Sequence, residues 1–351
     1  RRRDGDLLFR TTDRMLAPTT LRFQFCMLAS ALSLSMRTPT GVERDRSSRR
    51  ALLAHSLGAL AAVTAPRHAR AIVNGAAVTD AEAASTGTVG LYIDLEGCQV
   101  CRKGVPATCT GTLVAPDLVL SAKHCIDVPR DLNGTLTRVV FASDMLKAGA
   151  PSVDVERYVT TSDYGIETAG NDLVLIKLKR PAPAGWRVAE LPLGLLPEKA
   201  EFEEARRAGS PFFPDGLGFP TVTTYGYGQQ SSEGTVDIAK YKAGELKRID
   251  VDVRSEVRPY APAFLTTPVN KKAGTCAGDS GGPALVVLQD PLGRGARQLL
   301  LGVQAAASTP CEGNQAIFVY PDAFRTFLLK ASKELGSPLR PTISWRDYSS
   351  T

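Results

Sequence analysis

The sequence predicts an all-β fold, a barrel or sandwich of short strands closed by one C-terminal helix. Three observations predict it. First, Leu113–Ser121, Leu173–Leu178, Thr221–Gly228, Leu246–Val253, Ala284–Leu288, Gln298–Val303 and Ala316–Tyr320 are short runs rich in Val, Leu, Thr and aromatic residues. Second, Gly, Pro, Asn and Asp separate these runs, and those residues turn the chain. Third, no helical periodicity lies between them, which argues against the strand–helix alternation of a parallel sheet.

Near the C-terminus the period changes. Phe324, Phe327, Leu328, Ala331 and Leu335 recur at helical spacing and share one face. Pro321 and Asp322 mark a start and Gly336 a stop. Glu198–Ala208 is predicted as a short charged helix with a solvated face. No internal repeat is evident.

The chain has 351 residues, enough for one large or two small domains. Its 43% apolar and 22% charged residues are those of an ordinary globular protein. The net charge of +6 is unevenly spread. Residues 1–71 hold 13 Arg, no Lys and 5 acidic residues, which leaves 29 basic and 31 acidic residues after position 71. The basic excess belongs to the N-terminal segment, so nucleic-acid binding by the folded part is not expected.

Residues 1–71 read as targeting sequence that is removed. Ser48-Arg49-Arg50-Ala51-Leu52-Leu53 looks like a twin-arginine export signal. The apolar run Ala51–Val63, interrupted by His55 and Ser56, is too short to span a bilayer and suits a signal peptide, so no stable membrane anchor is expected. Pro66 follows, then Ala69-Arg70-Ala71, a small-x-small cleavage site. A second apolar run, Phe23–Ser35, lies upstream. Two addressing segments would suit a lumen reached in two steps, such as a thylakoid; a single export signal is the alternative. Cleavage after Ala71 exposes Ile72-Val73-Asn74-Gly75.

The chemistry centres on one serine. A serine hydroxyl is a poor nucleophile until a base removes its proton, and a buried carboxylate fixes the tautomer of that base. His55 and His68 lie in the leader, so His124 is the only histidine after residue 71. A serine–histidine mechanism therefore has one possible base. His124 sits in Leu120-Ser121-Ala122-Lys123-His124-Cys125, just after a strand. Ser280 lies in Gly278-Asp279-Ser280-Gly281-Gly282-Pro283, where glycines let bare N–H groups approach a ligand. The N–H groups of Gly278 and Ser280 would form an oxyanion hole.

These segments resemble the trypsin/chymotrypsin family of serine peptidases, over about residues 72–335. The strongest motifs are Ser121-Ala122-Lys123-His124-Cys125 and Cys276-Ala277-Gly278-Asp279-Ser280-Gly281-Gly282-Pro283, with Asn171-Asp172-Leu173-Val174-Leu175-Ile176-Lys177-Leu178 between them. The resemblance implies a His124, Asp172, Ser280 triad, and Gly226-Tyr227-Gly228 looks like the family's Gly-Trp-Gly. It implies two packed six-stranded antiparallel barrels with the site in the cleft between them, in a domain over 72–336 followed by a tail over 337–351. Ile72-Val73-Asn74-Gly75 resembles the family's mature N-terminus, whose amino group pairs with the residue at Asp279. Signal removal after Ala71 would then activate the enzyme by itself.

Six cysteines follow the leader, Cys98, Cys101, Cys109, Cys125, Cys276 and Cys311, and 15 pairings are open to them. The resemblance implies Cys109–Cys125 and Cys276–Cys311, leaving Cys98 and Cys101 for each other. That C-x-x-C is read as a short loop disulfide in preference to a redox or metal site, because zinc would want four ligands and none is spare. Disulfides indicate an oxidising, extracytoplasmic compartment: secreted, periplasmic or thylakoid lumen. Asn133-Gly134-Thr135 is a glycosylation sequon. No metal or cofactor is expected.

The pattern departs from the family at the specificity pocket. Gly274, with Thr275 next, stands at the position of the pocket base, so no carboxylate is there to pair with Lys or Arg. Ala305-Ala306-Ala307 replaces Ser-Trp-Gly, and Ala316 replaces a further pocket glycine. The expected preference is for small or medium apolar residues before the scissile bond. The expected partners are protein or peptide substrates and protein inhibitors, and the expected state is a monomer. The competing expectation is a weakly active or inactive homologue that binds proteins through the same cleft. It is disfavoured because no triad member is lost.

Overall fold

The computed structural model of the chain describes residues 72–99, 101, 103–161, 171–194, 221–230, 243–254, 263–289, 295–341 and 344. The leader and the predicted helix Glu198–Ala208 lie outside these residues.

Period-two burial organises the fold into two barrels. β2 (Thr88–Asp94), β3 (Ala107–Ala115), β4 (Leu118–Ser121), β5 (Thr135–Val140), β6 (Ser152–Thr160) and β7 (Val174–Leu178) close in the order β2-β3-β4-β7-β6-β5. Val119 and Ile176 pack inside this barrel with Leu91, Ile93 and Val139. Their neighbours Leu118, Leu120 and Leu175 belong to a second cluster, with Tyr227, Leu300, Val303 and Leu328. That alternation is what a strand with two buried faces requires.

The second barrel comprises β8 (Val222–Gly226), β9 (Lys247–Arg254), β10 (Ala263–Pro268), β11 (Pro283–Gln289), β12 (Ala296–Ala307) and β13 (Ala316–Val319). The order β9-β10-β13-β12-β11-β8 is closed by the β8–β9 pairing, and the short β1 (Ala76–Ala77) adds to the outer edge of β9. Every ladder is antiparallel. Val222, Val251, Phe264, Leu299, Leu301 and Phe318 fill its interior. The fold class is therefore the all-β, two-barrel architecture expected.

The expected strand Leu113–Ser121 is instead a hairpin, with β3 ending at Ala115 and β4 starting at Leu118. Pro116 has no N–H for the ladder, and Pro-Asp favours a turn. Among the described residues, two short helices join the expected one. α1 (Asp80–Thr86) is capped by Thr79, whose side chain accepts the Glu82 N–H, and ends at Gly87 with φ 70°. α2 (His124–Asp131) follows β4 directly. The C-terminal helix α3 (Arg325–Glu334) buries Leu328 and Ala331 after a 3₁₀ turn at Pro321–Phe324. Past the predicted domain end, Ser337 donates to Asp117 at 2.7 Å and the Leu339 N–H donates to Ser332 at 3.0 Å. The start of the tail is thus docked on the first barrel. No described helix is long and apolar enough to cross a membrane.

Candidate active site

Strand register brings His124 to Asp172. β4 and β7 pair Leu120 with Leu175 and Ser121 with Val174. Continuing that count places Lys123 opposite Asp172, and the Lys123 N–H donates to the Asp172 carbonyl at 3.3 Å. The next residue, His124, starts α2. Its backbone N–H donates to Asp172 Oδ1 at 2.9 Å, and its Nδ1 lies 2.7 Å from Oδ2. Two contacts to one carboxylate fix the ring plane. With the carboxylate ionised, Nδ1 carries the proton and Nε2 is left as acceptor.

The His124 side chain is 15% exposed and that of Asp172 only 2%. Burial alone would lower the pKa of His124. The charge and hydrogen bond of Asp172, with a further pull from Asp127, together outweigh it and hold the pKa above its usual 6.5.

The Ser280 turn is clamped from both barrels. From the second barrel, the Gly281 N–H donates to the Gln304 carbonyl at 2.8 Å and the Gln304 N–H returns to the Gly282 carbonyl at 2.9 Å. From the first, the Thr110 N–H donates to the Ser280 carbonyl at 2.8 Å and Thr110 Oγ1 to the Gly278 carbonyl at 3.0 Å. Cys125 Sγ, beside His124, lies 3.7 Å from the same Ser280 carbonyl. Gly281 adopts φ 80°, and a Cβ there would lie 2.0 Å from Ser121 Oγ. Only glycine allows this close an approach of the serine turn to β4, the strand that precedes His124. Gly278 also has positive φ, 95°. Among the described residues the N–H groups of Gly278 and Ser280 enter no hydrogen bond, so both are available as donors.

Asp279 is fully buried between these layers. It accepts the Cys276 N–H at 2.7 Å and the Gly228 N–H at 2.8 Å. Burial pushes its pKa up to about 7, with both N–H donors opposing. Ile72, also 0% exposed, packs in the second-barrel core. Val73 and Gly274 exchange both backbone hydrogen bonds, at 2.9 and 3.1 Å. The Ile72–Gly75 segment is thereby held on the loop that leads to Asp279.

The pocket residues lie on that loop and on β12 and β13. A Cβ on Gly274 would lie 1.7 Å from the Cys311 carbonyl. Thr275 is buried, and its carbonyl accepts from Asn314 Nδ2 at 2.7 Å. The same Asn314 group donates to the Ser308 carbonyl at 2.8 Å, tying the two walls together. Ala307 pairs with Ala316 across β12–β13, and Ala306 pairs with Ile317. Ala305 and Ala316 are buried. The disulfides are Cys98–Cys101, Cys109–Cys125 and Cys276–Cys311. Asn133 of the sequon is exposed, just past α2.

Three residues hold the site, and two of them, Thr110 and Asn314, are not singled out by the sequence, which marks Tyr227 only as the counterpart of the family's tryptophan. Thr110 bridges the turn and the Tyr227 N–H, which donates to its hydroxyl at 3.0 Å. Tyr227 in turn donates its own hydroxyl to the Ala142 carbonyl at 2.7 Å, across the barrels. Asn314 is the third. A threonine after a cysteine and an asparagine in a turn have no signature in sequence. Among the described residues no His, Cys, Asp and Glu group is arranged to hold a metal ion.

A buried carboxylate on a lone histidine, beside a glycine-bounded serine at the junction of two antiparallel barrels, defines a serine hydrolase of the two-barrel class. The family model described as Trypsin matches residues 96–327, and the chain belongs to that family of serine endopeptidases. A brachyurin of Leptuca pugilator is 26% identical over 225 residues, covering 62% of this chain and 81% of the brachyurin. A vitellin-degrading protease of Bombyx mori is 28% identical over 188 residues, 50% of this chain and 61% of that protein. Trypsin-4 of Rattus norvegicus is 33% identical over 90 residues, 26% of this chain and 35% of the trypsin. The matches to the last two span less than two thirds of each. Among solved structures, a mutant of human heparin binding protein superposes with a TM-score of 0.52 at 19% identity, over 77% of this chain and 100% of that one. At that identity the likeness concerns the fold.

Proposed function

We propose that the processed chain hydrolyses peptide bonds in protein or peptide substrates through His124, Asp172 and Ser280. The carrying observation is the 2.7 Å contact of His124 Nδ1 with buried Asp172, which leaves Nε2 as the acceptor of the ring, while the neighbouring Cys125 Sγ lies 3.7 Å from the Ser280 carbonyl. Ser280 Oγ attacks the scissile carbonyl while His124 Nε2 takes its proton. The N–H groups of Gly278 and Ser280 receive the oxyanion, each contributing roughly 3–4 kcal/mol to the transition state. Collapse expels the amine, protonated by His124, and leaves an acyl group on Ser280. Water then repeats the sequence, with His124 again as base, and frees the acid.

The pocket of Gly274, Thr275, Ala305, Ala306, Ala307 and Ala316 presents no carboxylate, which supports a preference for small or medium apolar residues before the scissile bond. Removal of the leader after Ala71 frees the Ile72 amine to pair with Asp279 and complete the site. Three disulfides suit export to an oxidising compartment, where the enzyme acts as a monomer and meets protein inhibitors.

The test is labelling of processed protein by a fluorophosphonate probe, with Ser280→Ala as control. Labelling of the wild type alone is the expected result. No labelling of correctly processed protein would replace this reading with that of a cleft that only binds.

A further inference from the structure

Away from the cleft, the turn between α2 and β5 carries Asn133-Gly134-Thr135, and no other asparagine of the chain is followed two residues on by Ser or Thr. The turn is fixed by its own backbone. The Leu132 and Gly134 N–H groups both donate to the Pro129 carbonyl, at 3.0 and 2.7 Å, and the Asn133 N–H donates to the Arg130 carbonyl at 3.0 Å. Gly134 is buried against the end of β2, and a Cβ there would lie 2.6 Å from Leu95 Cδ2 and 3.0 Å from the Asp94 carbonyl. Its neighbours Asn133 and Thr135 are both exposed. Thr135 opens β5 opposite Asp94, and the next residue, Leu136, is buried, so the Thr135 side chain points away from the barrel.

Backbone shape accounts for only part of this string. Asn133 has φ 59°, in the left-handed region that asparagine tolerates better than most residues, so a helix-ending turn explains an Asn at this position. It does not explain Thr135. Among the described residues neither the Asn133 amide nor the Thr135 hydroxyl enters a hydrogen bond. Both polar groups that N-linked glycosylation requires therefore face solvent: the amide that is modified and the hydroxyl two residues on that marks it. An oligosaccharide is too hydrophilic to bury, so an acceptor has to end on the surface of the folded chain, as this one does.

The turn lies clear of the catalytic histidine. α2 starts at His124 and ends at Asp131, about 12 Å of helix, and Asn133 stands beyond its far end. A large group on Asn133 leaves the His124 end of the helix open. The turn abuts the Cys98–Cys101 loop instead, since a Cβ on Gly97 would lie 2.4 Å from the Asn133 carbonyl.

We propose that Asn133 carries an N-linked oligosaccharide. Its Nδ2 attacks the anomeric carbon of a lipid-pyrophosphate-linked oligosaccharide. The new C–N bond replaces the sugar C–O bond, the lipid pyrophosphate leaves as the anion, and the amide proton passes to a base of the transferase. Such donors are met in the lumen of the secretory pathway, so a glycan on Asn133 selects secretion from among the oxidising compartments that the three disulfides suit. The glycan needs no catalysis by this chain, so its test is independent of the peptidase reading.

The experiment is peptide mapping of the protein isolated from its natural source, before and after peptide-N-glycosidase F. Trypsin cuts after Arg130 and Arg138 and so releases the acceptor in the peptide Asp131–Arg138. That peptide should appear at its own mass only after the glycosidase, with the acceptor converted to aspartate. The processed chain secreted by a eukaryotic host should likewise show one glycosidase-sensitive gel shift, lost in Thr135→Ala and kept in Thr135→Ser. Thr135 is the better position to change, because it is exposed and lies outside the left-handed turn that Asn133→Gln would strain. Natural protein that yields only the unmodified Asp131–Arg138 peptide without glycosidase would overturn the proposal. So would a secreted chain with no shift, or a shift that survives Thr135→Ala. A shift in the host combined with unmodified natural protein would also overturn it, and would place the natural chain in a compartment without the transferase.

Discussion

Asp279 accepts the Gly228 N–H at 2.8 Å, and a Cβ on Gly228 would lie 2.5 Å from that same carboxylate oxygen. Gly226 is tighter still, at 2.1 Å. The two glycines on either side of Tyr227 form a box with room for a carboxylate and no more. Two N–H donors enter it, and no cationic side chain forms a described ion pair with Asp279. Such a box favours a neutral acid until a positive charge arrives.

This makes the unprocessed chain sensitive to pH. The pKa of Asp279 is about 7 folded and 3.8 as a free side chain. The native state therefore binds the extra proton between those values, and stability falls as pH rises from about 4 to about 7. The difference corresponds to roughly 4 kcal/mol at most. Urea unfolding of a Ser280→Ala chain that retains Arg70 and Ala71 should show this decline, and Asp279→Asn should flatten it. A flat profile in the parent chain would mean that Asp279 stays charged without the Ile72 amine.

Processing should remove the same slope. On the proposed activation, a protein beginning at Ile72 would bring an ammonium group to Asp279 and keep the carboxylate ionised. Retaining Ala71 moves that charge one residue away from the Val73–Gly274 bridge that holds the segment. A buried charge without its partner costs about 3–5 kcal/mol, so the Ala71-started protein should be at least roughly 100-fold less active. N-terminal sequencing joined to kcat/KM on both forms checks this. Equal activity, or natural mature protein that begins at Ala71 or earlier, would remove signal cleavage as the activating step.

Asp172→Asn should slow the reaction and move its pH profile. The neutral amide no longer fixes the Nδ1–H tautomer, and losses of roughly 10⁴-fold in kcat accompany such a change. The proposed mechanism requires neutral His124, so activity should rise with pH through the His124 pKa. Asp172 provides the two largest raising influences on that pKa, against the lowering effect of burial. The acid limb of kcat/KM should therefore shift to lower pH in the variant. An unshifted limb would assign the titration to another group.

The site was more legible in the sequence than the barrels were. Ser280, His124 and Asp172 sit in contiguous strings whose residue types are constrained by chemistry and by close backbone approach, as Gly281 shows. Interior strands such as Val174–Leu178, buried almost throughout, also stand out as apolar runs. β6 does not, because Asp154, Glu156 and Arg157 face outward and leave few apolar residues to mark it. β2 is likewise hidden, since Gly90 takes a position where a side chain would meet Met145 of the neighbouring loop and buried Thr88 is polar. The roles of Thr110 and Asn314 depend on partners far away in sequence, Gly278 and Thr275 among them, so local pattern carries no trace of them.

Gly274→Asp is the substitution that would restore a pocket carboxylate, and it should fail to confer cleavage after Lys or Arg. A Cβ at 274 would meet the Cys311 carbonyl at 1.7 Å and Asn314 Oδ1 at 2.7 Å. Cys311 is tied to Cys276, and the Asn314 amide bonds to the Thr275 and Ser308 carbonyls, so neither neighbour is free to retreat. The new carboxylate would also displace Gly274 from its paired hydrogen bonds with Val73, on which the seating of Ile72 depends. Forced overpacking of this kind costs about 1–3 kcal/mol or more. The expected outcome is a lower melting temperature and weaker cleavage of every substrate, with no new activity on Arg or Lys chromogenic peptides. A stable Gly274→Asp enzyme that prefers Arg would show that the pocket wall yields, and that glycine alone set the original preference.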